Sequence, residues 1–182
     1  MIKEVRGNAA MGFLTTRPTM IITTLHESGI VNAGVFGAWT NLSPEHVGVA
    51  ISVASDTYRN ILRGKEFTIN IPGADLVKAI APLAAKVPID RSELEDAHLT
   101  AKPGLAIETP SIAECVAAAE FTFFNDVPVA SHHFVIGTCV AGWIREEYLD
   151  ADGKLDIFKA RIFKDHKYPK PLYVTPGEVI EG

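Results

Sequence analysis

Asn32-Ala33-Gly34-Val35-Phe36-Gly37-Ala38-Trp39-Thr40, followed a little later by Ser55-Asp56-Thr57-Tyr58-Arg59-Asn60, decides how this chain is read. The first run is small and ends in an aromatic. Glycine and alanine let a flat ring approach the backbone closely. The second run gathers hydroxyl and amide groups at the start of a short helix. Free N–H groups and the helix dipole converge at such a start and suit an anion. Together the two runs suit a ligand with a flat ring and a phosphate.

Outward from these runs the chain is rich in short strands. Thr19–Leu25, Gly29–Phe36, His46–Val53, Glu66–Ile71, Ala117–Phe124, His133–Ile144 and Lys154–Ile157 carry Val, Ile, Thr and Phe, with a short strand at Leu172–Val174. Ser28-Gly29 and Asp152-Gly153 read as hairpin turns. Thr57–Arg63 reads as a short helix capped by Ser55 or Asp56 and stopped by Gly64. Ala74–Ala85 has helical apolar spacing, disturbed near its end by Pro82. Ser92 followed by Glu95 is a capping-box pattern opening a helix at Ser92–Ala97. Thr100–Ile112 is rich in proline and glycine and reads as a long ordered loop covering something. Many short strands with few helices predict a mainly β protein, a closed or split barrel whose gaps are plugged by helices.

Bulk properties narrow the function. The 182 residues, 47% hydrophobic, suit one domain spanning residues 1–182 with a sizeable core. A formal net charge of −5 argues against nucleic acid or a membrane surface as partner. No apolar run is long enough to span a membrane, and the first residues lack the apolar core of a signal peptide. Cys115 and Cys139, far apart and in apolar runs, read as free thiols, which implies a cytoplasmic setting; a redox pair is the alternative, without a C-x-x-C motif behind it.

The order of motifs carries more than any one of them. Arg17-Pro18 enters the strand Met20-Ile21-Ile22-Thr23-Thr24-Leu25. Then come Val31-Asn32-Ala33-Gly34, Trp39-Thr40, Val47-Gly48-Val49-Ala50-Ile51-Ser52, Asp56-Thr57-Tyr58-Arg59-Asn60-Ile61, Glu66-Phe67-Thr68-Ile69-Asn70-Ile71-Pro72 and His132-His133-Phe134-Val135-Ile136-Gly137. This series resembles the flavin reductase-like family with an FMN-binding split barrel, including its flavoredoxin-type members. The resemblance runs from Arg17 to about Tyr173. It implies a flavoprotein oxidoreductase that binds FMN and moves a hydride from NAD(P)H to the flavin and on to a small-molecule or protein acceptor. The alternative is an electron carrier reduced by a protein partner without NAD(P)H. It also implies a homodimer with the flavin near the subunit interface.

Site expectations follow residue by residue. Asn32 is expected at the ring edge, with Ala33, Gly34 and Thr40 beside the ring. Trp39 is either core or a ring contact. Thr57 is the expected phosphate ligand, and Ser52, Ser55 and Asn60 complete the phosphate and ribityl shell. Lys86 or Arg91 supplies a cation. His132 fits the family's His-x-x-x-x-Gly spacing, and Tyr168 either covers the ring or simply packs. Adjacent strand residues face opposite ways, so His132 and His133 cannot readily chelate one ion, and no metal site is expected. No acid–base dyad is expected either. The sequence has no G-x-G-x-x-G at a helix start, so a nicotinamide would bind over the flavin without a fingerprint of its own.

Overall fold

The computed structural model describes residues 4, 11, 17–166 and 172–180. Strands β1 (Arg17–Pro18), β2 (Met20–Leu25), β3 (Val31–Phe36), β4 (Trp39–Asn41) and β5 (His46–Ser52) lead into helix α1 (Asp56–Gly64) and strand β6 (Glu66–Ile71). Helices α2 (Ile80–Leu83) and α3 (Glu93–Asp96) and a small ribbon, β7 (Ala101–Lys102) with β8 (Ser111–Ile112), follow. A long hairpin of β9 (Ala117–Val129) and β10 (His132–Ile144) comes next, then β11 (Lys164–Asp165) and β12 (Tyr173–Val174).

The main sheet is antiparallel, in the order β3-β2-β6-β9-β10-β5-β4. Its two outer strands, β3 and β4, are neighbours in sequence, joined by Gly37-Ala38 alone. Three Cα–Cα steps reach about 11 Å at most. The far edges of the sheet must therefore meet at that corner, and the sheet curls into a split barrel. Helix α1 packs against β2, β3, β5 and β6 and plugs the split.

Residue alternation sorts two cores. Met20, Ile22, Val49, Ile51, Phe67, Phe121 and Val135 fill the barrel, with Phe67 and Phe121 stacked at 5.2 Å. Ile21 points the other way and packs with Ile80, Leu83, Leu94, Ile112 and Phe163 under the helices. Burial on both faces is why β2 reads as an almost unbroken apolar run. At Gly137 the ring of Phe67 comes so close that a Cβ would sit 2.5 Å from its Cζ.

Several expected elements differ. Lys154–Ile157 is not a strand: Leu149 and Leu155 form a single bridge. Asp150 takes the N–H groups of Asp152 and Lys154, and Asp156 takes those of Phe158 and Lys159, so side chains replace the ladder. The Ala74–Ala85 helix splits into a 3₁₀ turn over Ala74–Ala79 and the four residues of α2. Pro82 has no N–H for the preceding turn and fits only near a helix start. Ser92 caps α3 through the Leu94 N–H, but it is Glu93, not Glu95, that reaches elsewhere, accepting the Ala33 N–H at 2.9 Å. α1 ends with Lys65, rather than Gly64, in the left-handed conformation (φ 59°).

Candidate functional site: a cleft at the barrel corner

The corner that closes the barrel also opens a cleft of about 710 Å³. Its floor is apolar and close to backbone: Val35, Phe36, Gly37 and Ala38 from the corner, and Ala50 from β5. Helix α2 adds Ile80, Ala81 and Ala84.

Two polar walls flank this floor. On the barrel wall Ser52 stands across the ladder from His132, and Ser55 caps α1 beside them. The Ser55 hydroxyl donates to the Ser52 carbonyl at 2.8 Å and accepts the Tyr58 N–H at 3.2 Å. The ribbon wall is a row of Arg17, Asp165 and Tyr173, placed side by side by the pairing of β1, β11 and β12. Arg17 and Asp165 are 3.9 Å apart. Burial, and then the charge of Asp165, push the Tyr173 phenol above its ordinary value. Thr19, buried at 4% exposure, completes this wall, and its hydroxyl has no hydrogen-bond partner among the described residues.

Of the residues expected at the ligand, Ser52, Ser55 and His132 line the cleft. Asn32, Thr57 and Asn60 lie behind its wall. The Asn32 amide donates to Thr24 Oγ1 at 3.1 Å and to Thr57 Oγ1 at 3.0 Å, and the Asn60 amide donates to Thr24 Oγ1 at 3.1 Å. The reason is helical geometry. Each residue turns the helix by about 100°, so Thr57 points about 200° away from the Ser55 cap, into the protein. Ala33 is buried with its N–H on Glu93. Gly34 sits over Thr57 Oγ1 and the Phe36 ring. Trp39 is half-buried against the barrel core and donates to the Pro18 carbonyl at 3.3 Å. Thr40 and Lys86 are exposed and away from the cleft, and Arg91 is paired with Asp96. Tyr168 lies outside the described residues. Arg17, Thr19, Asp165 and Tyr173 were not singled out as ligand residues, because only the ribbon pairing brings them to the corner.

The two adjacent histidines do face opposite ways. His132 turns to the cleft; His133 turns to Asp126 and to the Tyr58 hydroxyl, 2.7 Å from its Nδ1. Among the described residues, no three His, Cys, Asp or Glu side chains gather as metal ligands.

Thr57→Val should destabilise the fold by about 1–3 kcal/mol, since it strips a partner from the buried Asn32 amide. Urea unfolding checks it; a loss confined to flavin affinity, with the unfolding midpoint unmoved, would instead put this hydroxyl on the ligand. The hydrogen bond from His133 holds Asp126 below the usual carboxylate value, whereas burial raises Glu93 above it against the opposing pull of the Ala33 N–H. Asp126 therefore contributes stability at pH above the unfolded carboxylate value, lost as pH falls through its lowered folded one. Glu93 does the reverse: its contribution is full below about pH 4.3 and is lost as pH rises through its raised folded value. Glu93→Gln should remove that decline on the rising side. Unfolding midpoints measured from about pH 4 to pH 8 that fall as steeply as in the unaltered protein would refute it.

Residues 11–169 match the sequence profile of the flavin reductase like domain. The chain belongs to that family. Its structure is similar to that of nitrilotriacetate monooxygenase component B from Bacillus cereus, with a TM-score of 0.90 at 21% identity, covering 100% of this chain and 98% of that one. The flavoredoxin of Desulfovibrio vulgaris gives a TM-score of 0.87 at 21% identity over 100% and 97% of the two chains. The FMN-binding protein of Thermus thermophilus gives 0.79 at 19% identity over 100% and 98%. The split-barrel fold of this family is therefore the fold of this chain. Among the described residues no helix is long and apolar enough to cross a membrane.

Proposed function

We propose that the protein is an FMN-dependent oxidoreductase whose flavin lies in the corner cleft and takes a hydride from NAD(P)H for delivery to an acceptor. The observation that carries this reading is the cleft itself: an apolar, backbone-rich floor between two polar walls, in a chain of the flavin reductase family. The residues fit the group. Gly37 and Ala38 admit a flat ring, and Ser52, His132 and the N-terminus of α1 beside the Ser55 cap offer donors to a phosphate.

When bound, the flavin supplies the hydride chemistry. The protein binds, orients and screens. The start of α1, fixed by the Ser55 cap and its bond to the Ser52 carbonyl, would hold the tail end in place. Val35, Phe36 and Ala50 exclude water beneath the ring. The open side of the cleft is where a nicotinamide would stack. A homodimer completing that side is part of the proposal; the exposed Phe124, Val127 and Val129 of the long hairpin support such pairing. So is a cytoplasmic setting, supported by Cys115 and Cys139 both being unpaired thiols.

The test is reconstitution of purified protein with FMN, followed by anaerobic addition of NADH or NADPH. Quenched flavin fluorescence shows binding, and bleaching of the flavin bands shows hydride acceptance. Binding without bleaching by either nucleotide would leave the electron-carrier reading in its place.

A further inference from the structure

A second hollow, of about 520 Å³, lies between α1 and the Ala106–Thr109 turn and shares no lining residue with the corner cleft. That size suits a ring-sized ligand. Two of its lining residues, His26 and Asn60, are polar and more than nine-tenths buried, at 4% and 6% exposure. They meet each other. The Asn60 amide nitrogen lies 3.3 Å from His26 Nδ1 and 3.1 Å from Thr24 Oγ1, which occupies both of its N–H groups. One polar atom is left over on each side chain, His26 Nε2 and Asn60 Oδ1, and neither has a hydrogen-bond partner among the described residues. Neither is sealed in. Among the described residues only Thr19 Oγ1 is both unpartnered and closed to solvent. The two free atoms therefore stay accessible, through the hollow that both residues line.

Their chemistry is complementary. With the amide donating to Nδ1, the imidazole carries its proton on Nε2, so His26 offers a donor and Asn60 an acceptor. Turning the amide over exchanges the two roles and leaves the same pair, one donor and one acceptor. Only a doubly protonated His26 would show two donors. The rim selects against an anion. Glu27, Glu66 and Glu108 outnumber Arg63, whose guanidinium donates to the Leu25 carbonyl. Glu66 is held in place by the Thr109 N–H and hydroxyl at 2.6 and 2.8 Å. A carboxylate would meet that charge. A neutral group that carries an acceptor beside a donor would not, and it matches both free atoms. A carboxamide and a lactam are such groups.

We infer that this hollow is a second ligand site, for a neutral, ring-sized molecule with an amide edge: its carbonyl and N–H pair with His26 and Asn60, with Leu25 and Ile107 beside the ring. The inference stands whether or not the corner cleft takes a flavin.

The experiment titrates isotope-labelled protein with benzamide and with benzoate at about pH 8, where an ordinary imidazole is neutral, and follows the side-chain NMR signals of His26 and Asn60. Benzamide should shift both saturably, with a dissociation constant on the order of 1–10 mM, as expected of so small a fragment. Benzoate differs only in the group that meets the pair, and should bind at least about tenfold more weakly. Ala106→Phe narrows the hollow from the exposed turn without altering either side chain. It should keep the unfolding midpoint and weaken benzamide by about tenfold or more. Equal affinity for benzamide and benzoate overturns the inference, because the hollow then selects a ring and not an amide edge. Tighter binding of benzoate overturns it as well, by making His26 and Asn60 two donors. Shifts at Ser52, Ser55 or His132 without shifts at His26 and Asn60 put the amide in the corner cleft and overturn it. So do the absence of any shift at about 50 mM benzamide and shifts that Ala106→Phe leaves unchanged. The contrast between benzamide and benzoate needs no variant, and decides alone if Ala106→Phe unfolds.

Discussion

Glu120→Ala should destabilise the protein by about 3–5 kcal/mol, as the loss of two charge-assisted hydrogen bonds of roughly 1.5–3 kcal/mol each. Glu120 lies on β9, fully buried, and its two carboxylate oxygens take the N–H groups of Leu105 and Ala106 at 2.7 and 2.8 Å. Those amides belong to a turn so tight that a Cβ on Gly104 would sit 2.2 Å from the Ile107 carbonyl oxygen. Glu66 holds the other end of the turn, accepting from the Thr109 N–H and hydroxyl at 2.6 and 2.8 Å. Two carboxylates therefore pin the Thr100–Ile112 loop to the sheet in place of a ladder of its own, which reaches only the two residue pairs of β7 and β8. Alanine leaves the Leu105–Ala106 end of the turn unheld. The expected local sign is faster amide exchange at Leu105 and Ala106 than at the barrel strands. Glu120→Gln keeps one acceptor but faces an N–H with an N–H, and should fall between. A change below about 1 kcal/mol in urea unfolding would show that the turn holds itself.

The sequence carried the barrel because its strands are written with alternation and turn signals that need no partner to be read. Glu66–Ile71 has the predicted bounds, and the other main strands shift by a few residues or, like β9, run on further. The curl itself is implicit in the brevity of Gly37-Ala38, but only once the strand order places β3 and β4 at opposite edges. Pro82 split one expected helix, and much of the rest turns on carboxylates. Asp150, Asp156, Glu66, Glu93 and Glu120 replace backbone partners with carboxylates, and composition does not show which N–H a carboxylate will take. The candidate site divides in the same way. Ser52, Ser55 and His132 were legible because a strand end, a helix cap and a ladder partner are local features. Thr57 and Asn60 looked equally suitable in the linear sequence; the turn of α1 aims them inward. The ribbon wall was illegible, because Arg17 and Asp165 are 148 positions apart and meet through two-residue strands.

Ala50→Phe should abolish flavin binding, by about 100-fold or more, while leaving the barrel folded. Along β5, Val49 and Ile51 are fully buried and point into the barrel, so Ala50 between them faces the cleft floor. Its backbone is fixed: its N–H donates to the Ala38 carbonyl at 2.8 Å, and it pairs with Phe134 across the ladder. A phenyl ring there has only the cleft to occupy, where it takes the space of the flavin ring rather than of the core. A 100-fold loss is about 2.7 kcal/mol in binding, whereas a substitution outside the core should move stability by less than about 1 kcal/mol. The matched control uses the second hollow, of about 520 Å³, between α1 and the Ala106–Thr109 turn. Its lining is charged and has no flat floor, with His26, Glu27, Arg63, Glu66 and Glu108 around it. Ala106→Phe crowds that hollow and should leave FMN affinity unchanged. If Ala106→Phe removes binding and Ala50→Phe spares it, the flavin belongs to the second hollow, and every role assigned at the barrel corner falls with that result.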